Sequence, residues 1–327
     1  MTWPPGQSLD DAFDKLRWAK KHFEALRIQI EAIEKRDTHR ISFKVDPKAG
    51  EYKFYVHHLE DVSDPDWPLM IGDCIHNART ALDYLMVRLV AVTTGMKPRA
   101  IGGVQFPIYD DPNRFSGAVS EVRKKPLFHG YLARIEELQP FNLNNPSIWG
   151  LKPLDFSPRI GAEPVNHALP VALSQLSALD NIDKHRVIHA TWLGGKTDRL
   201  NPLGGHPTFV PEDFEQTGSL RMLGALENDA EIGALNFATP LPHDWEPSQV
   251  DMKRNFPLEI SILDESNFAY GVVEVLRLCL WGVEAVLRLF EPVFTAGTPP
   301  LPVTAVPNPI PDPDASDRPA YSLPGTA

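Results

Sequence analysis

The chain has 327 residues, 43% of them hydrophobic, enough apolar material for the core of one large domain or two ordinary ones. Its 32 Lys and Arg against 43 Asp and Glu leave a formal charge of −11, which excludes a broad basic face on duplex nucleic acid but not a local pocket for one phosphate or one strand. Two cysteines, Cys74 and Cys279, each within a predicted helix among apolar neighbours, exclude a disulfide framework.

Ser8 followed by Asp11 is a variant capping box, and behind it the apolar residues recur every seven positions. Leu9, Leu16, Phe23 and Ile30 make one row, and Ala12, Ala19, Leu26 and Ile33 the other, which predicts a long first helix. Ile41, Phe43 and Val45, then Tyr52, Phe54 and Val56, alternate around DPKAG and predict a β-hairpin. His57 and His58, at its end, point in two directions and read as surface residues. Trp67-Pro68 breaks the chain, and Pro68 is placed to open a second helix running to about Val92.

That second helix contains GDCIHNARTALDYL, whose apolar residues Ile75, Ala78, Leu82 and Leu85 continue a single face from Ile71 to Val92. At about 100° per residue, His76, Arg79 and Asp83 share one flank of that face, while Asn77, Tyr84 and Arg88 line the other. Residues 95–170 read as connecting structure with a helical piece over 132–138. A third helix is predicted from about Pro170, with Leu169, Leu173, Leu176, Asp180, Asp183 and Val187 on one stripe. Residues 194–265 read as β-rich, and a fourth helix over about 269–290 is apolar nearly all round, which marks it as central. Its Glu274, Arg277, Glu284, Arg288 and Glu291 make it a poor membrane span. Residues 296–327, beginning near PPLPVTAVPNPIPDPD, read as a disordered Pro-rich tail. The expected fold class is therefore α+β: one domain over 1–295, a bundle of four long helices with a hairpin after the first and a β-rich insertion before the last. No signal-peptide pattern opens the chain, so a cytoplasmic location is the default expectation.

The third helix ends in LSALDNIDKHRVIH, and a carboxylate on a core-facing stripe needs a cation or several donors facing it. Asp180 and Asp183 thus predict partners on the second helix, with Arg79, His76 and Asn77 the best placed. The same residues also suit a buried ion-pair network that fixes helix register, in which Arg79 and Asp83 satisfy each other at a four-residue spacing. His185 and His189 are four apart and, with Asp183, offer an alternative zinc or manganese hydrolase site; Arg186 stands where the metalloprotease pattern requires Glu, and no metal is assigned. ATWLGGKT lacks the first glycine of a phosphate loop, and no cofactor is expected. Without a Gly-x-Ser-x-Gly elbow or a Cys-x-x-Cys pair, acyl-transfer hydrolases and zinc ribbons have no support. QFPI at 105–108 and LQPF at 138–141 read as packing turns.

The blocks GDCIHNARTALDYL, QFPI, ELQPF and LDNIDKHR, in this order, resemble an uncharacterised bacterial family common in actinobacteria, over about residues 15–294. Arg79 to Tyr84 is also similar to the Arg-to-His motif of HEPN domains, helical bundles of prokaryotic toxin and defence systems, with Tyr84 in the His position. A phenol titrating near pKa ~10 is not a neutral-pH acid–base group, so this departure points to an altered or non-catalytic member. The HEPN resemblance implies a nucleotide- or RNA-associated module with His76, Arg79, Asp83 and His185 as the catalytic candidates and Asn77, Asp183, Lys184 and Arg186 as ligand-binding candidates. Arg79 would hold phosphate, with His76 or His185 moving the proton as a 2′-hydroxyl attacks its own phosphate. The rival expectation is a structural or partner-binding helical module with the same residues in a fixed polar core. Expected partners are a nucleotide, RNA or a second copy of the chain, and no membrane.

Overall fold

The two apolar rows of the first helix become α1, Asp10–Glu34, and Leu9, Ala12, Leu16, Ala19, Phe23, Leu26 and Ile30 are all buried along it. The computed structural model describes residues 8–34, 36, 39–46, 51–57, 66–101, 103–119, 129–143, 168–185, 190–194, 228–236, 258–263 and 269–305. At the start of α1 the Ser8 hydroxyl accepts from the Asp10 N–H at 3.4 Å and donates to the Asp10 carboxylate at 2.7 Å. Asp11, the expected box partner, instead accepts from Arg88 at 2.6 Å.

The predicted hairpin forms β1, Arg40–Asp46, and β2, Glu51–His57, antiparallel from Arg40 opposite His57 to Asp46 opposite Glu51. Tyr52, Phe54 and Val56 turn inward at the period of two that a half-buried strand requires. The second predicted helix is α2, Asp66–Thr94, and it runs antiparallel to α1. Its Trp67 Nε1 donates to Gln29 at 2.8 Å, Asn77 accepts from Lys15 at 3.2 Å, and Arg88 meets Asp11, so rising numbers on one helix meet falling numbers on the other.

Among the described residues of the stretch expected to be mostly connecting structure lie two α-helices: α3, Pro112–Ala118, and α4, His129–Glu137. Only α4 overlaps the predicted helical piece. The start of α3 has an ordinary cause, since Asp111 accepts from the Asn113 N–H at 2.8 Å and Pro112 occupies the first turn.

The third and fourth long helices are α5, Ala168–His185, and α6, Val272–Thr295. They cross at a glycine: a Cβ placed on Gly282 would lie 2.5 Å from the Ala172 Cβ, closer than non-bonded carbons approach. Among the described residues, the strands following α5 are β3, Ala190–Gly194, β4, Glu231–Asn236, β5, Leu258–Leu263, and β6, Ala269–Gly271. They do not make one layer. β4 adds to the hairpin in the order β1-β2-β4, and the others pair in the order β3-β5-β6, all antiparallel. Sequence periodicity reports faces, not partners, and the open side of β2 takes the distant strand.

The C-terminal boundary also differs from expectation. Within 296–305 the Leu301 N–H donates to the Leu289 carbonyl at 2.9 Å, and Val303 is 5% exposed against the core. Few apolar residues are there to bury, but Val303 is one of them. The rest of the expected tail, 306–327, lies outside the described residues. No helix among the described residues is long and apolar enough to cross a membrane.

Candidate functional site

The flank of α2 carrying Arg79 and Asp83 faces the extended segment 104–109, which contains QFPI. Phe106 is fully buried there, outside any sheet, so its backbone groups require partners from elsewhere. Asp83 Oδ1 accepts from the Phe106 N–H at 2.8 Å, and Arg79 Nη2 donates to the Phe106 carbonyl. Arg79 Nη2 also lies 3.6 Å from Asp83 Oδ1, with the two side chains 14% and 24% exposed. One helical turn therefore places a donor and an acceptor against both polar groups of one residue.

The next residues are held from the other side. Gln139, from LQPF, is fully buried; its Oε1 accepts from the Tyr109 N–H at 2.9 Å, and its Nε2 donates to the carbonyls of Pro107 at 2.9 Å and Ile135 at 3.0 Å. With no strand beside it among the described residues, the segment is held by side chains standing in for one. LQPF passes through a turn into a short 3-10 helix, as expected, whereas QFPI, expected to be a turn, contains none and is packed as an irregular segment; the polar role of Gln139 lies beyond that expectation. A glutamine lodged between apolar residues and a proline is the sequence signal for it, since a buried amide needs its partners.

His76 lies exposed three residues before Arg79. Asn77, on the opposite flank, is buried, donating to the Asp73 carbonyl at 2.8 Å and accepting from Lys15; it ties α2 to α1 and is remote in helical phase from Arg79. α2 and α5 pack together, as the aspartate stripe predicts. The close approach is at Gly72, where a Cβ would overlap the Asp183 carboxylate. Asp180 is buried. The side chains of Lys184 and His185, at the end of α5, and all of Arg186 and His189 lie outside the described residues, so the Asp183/His185/His189 alternative does too. Among the described residues no group of three or more His, Cys, Asp or Glu is placed to hold a metal.

Three buried groups in and around α2 bear on its chemistry. Arg79 Nη1 is buried and makes no hydrogen bond among the described residues. Burial pushes the Cys74 thiol up to about 12, and pushes Cys279 up further with the help of its neighbour Cys74, so neither thiol is a nucleophile at neutral pH. His57, expected to be a surface residue, is 30% exposed and hydrogen-bonded through both ring nitrogens.

No family model matches the chain, and no curated protein and no solved structure matches it.

Proposed function

We propose that the α2 seam is a fixed polar core and that the chain is a helical structural or partner-binding module, with this seam serving as a clamp. The observation that carries this reading is the pairing of both Phe106 backbone groups by Arg79 and Asp83. A guanidinium and a carboxylate already committed to one buried residue have little left with which to bind and turn over a substrate. On this reading the module works in the cytoplasm with a protein partner or a second copy of itself.

One observation favours the HEPN-like, nucleotide- or RNA-associated reading instead: the unpartnered Arg79 Nη1 would be satisfied by a phosphate oxygen. Arg79→Lys separates the two, because it keeps the charge and removes the planar fork. The clamp reading predicts a variant that melts lower and a parent chain that retains no nucleotide or RNA by mass spectrometry of the purified protein. An Arg79→Lys variant that melts like the parent but loses a retained nucleotide or RNA would overturn it in favour of the phosphate reading.

A further inference from the structure

The hydrogen bonds of His57 run in one direction and end on a serine. His57 Nδ1 lies 2.5 Å from Asp229 Oδ1, and His57 Nε2 lies 2.6 Å from Ser42 Oγ. A carboxylate can only accept, so Nδ1 carries the ring proton. In the neutral form of the ring this leaves Nε2 bare, and the Ser42 hydroxyl donates to it. From two side chains on paired strands and a third in the turn that leads into β4, the structure assigns a Ser42–His57–Asp229 relay with Ser42 as an activated nucleophile for acyl transfer from small esters.

The sheet builds this relay by register. Arg40 pairs with His57 and Ser42 with Tyr55, so Ser42 and His57 are diagonal neighbours on one face of the hairpin. Asp229 precedes β4 and is fixed to the end of β2 by its own N–H to the Val56 carbonyl at 2.8 Å and by the Val56 N–H to the Ala230 carbonyl at 3.0 Å. Its φ of 65° makes it the one non-glycine residue in the left-handed region among the described residues, a conformation Asp and Asn tolerate best. Its second oxygen accepts from Asn228 Nδ2 at 3.1 Å. A strained, doubly anchored aspartate aimed at a histidine is how such a relay holds its base in one tautomer. A triad is recognised by these roles and not by chain order, so the missing Gly-x-Ser-x-Gly elbow excludes only one fold's version of it.

In the reaction, Ser42 Oγ attacks the ester carbonyl carbon as its proton passes to His57 Nε2, and the carbonyl electron pair moves onto oxygen. Collapse of that oxyanion breaks the bond to the leaving alcohol, which takes the proton from Nε2 and departs, leaving the acyl group on Ser42. Water, giving its proton to the same nitrogen, attacks the acyl carbon; collapse breaks the bond to Ser42 Oγ, which takes the proton back from Nε2 as the carboxylic acid leaves. Ser42 and His57 are both only partly buried, so the carbonyl of a short ester can reach Ser42 Oγ.

The test is labelling of the full chain with a fluorophosphonate probe, in which Ser42 Oγ displaces fluoride from phosphorus, followed by peptide mass spectrometry. The expected result is one adduct, on Ser42, in the unaltered chain, and none in Ser42→Ala. With p-nitrophenyl acetate, His57→Gln should lower kcat by about a hundredfold or more. Asp229→Asn keeps a side chain suited to the left-handed backbone, so it should lower kcat with KM and melting temperature unchanged, the signature of a positioning residue. An unlabelled Ser42 in the unaltered chain, or labelling indifferent to His57→Gln in a folded variant, would overturn the proposal.

Discussion

At Phe106 the backbone N–H and C=O depend on two side chains four residues apart, so losing either partner leaves a buried polar group behind. Asp83→Ala should therefore lower stability by about 1–3 kcal/mol, the penalty of an orphaned buried N–H, while Asp83→Asn, which keeps an acceptor, should lose less. Urea titration of both variants checks the order, and an equal loss would show that charge alone matters. The buried thiols give a pH prediction. Cys74 ionises at an ordinary value of about 9 when unfolded but near 12 when folded, so above pH 9 the unfolded chain sheds a proton that the native one keeps. Stability must then fall as pH rises from 9 towards 12, by up to about 1.4 kcal/mol per pH unit for each such thiol. Denaturation of Cys74→Ala across that range should show a shallower fall than the parent; parallel curves would remove the thiol from the account.

At the scale of the elements, the helix crossings hinge on single glycines. Gly282→Ala should destabilise by about 1–3 kcal/mol despite alanine's better helix propensity, because the new methyl meets Ala172, and Ala172→Gly in the same chain should recover part of the loss. Thermal melts of the three variants decide it; a neutral Gly282→Ala would mean that α5 and α6 are further apart. The four long helices were legible because each writes its face into a spacing of three and four, and the hairpin because its strands are adjacent and alternate. The pairing of β4 with β2 was not, since nothing local in Glu231–Asn236 names a partner so far away in the chain. The site was half legible. Arg79 and Asp83 stood out as polar groups bordering an apolar seam, but their partner is the backbone of Phe106, and a backbone amide has no residue type to reveal it. Ser42, His57 and Asp229 stayed hidden for the same reason as β4: register brings them together, not spacing.

For the molecule as a whole, the polar seam and the C-terminal segment are two ways of closing the core over its edges. Truncation after residue 298 should melt lower than truncation after 305, because residues 299–305 supply the burial of Val303 and the Leu301 to Leu289 hydrogen bond, together about 2 kcal/mol. Equal melting temperatures for the two truncations would show that this segment adds nothing to the fold. The central claim, that α2 and Gln139 clamp the extended segment 104–109 as part of the fixed core, is tested most directly by amide hydrogen exchange at Phe106 and Tyr109. Both N–H groups lie outside helices and sheets, and both donate to side chains at 2.8 Å and 2.9 Å. The clamp predicts that they exchange as slowly as the core of α2, and that Asp83→Ala releases Phe106. Exchange of both amides at the rate of an open loop in the unaltered chain would contradict it.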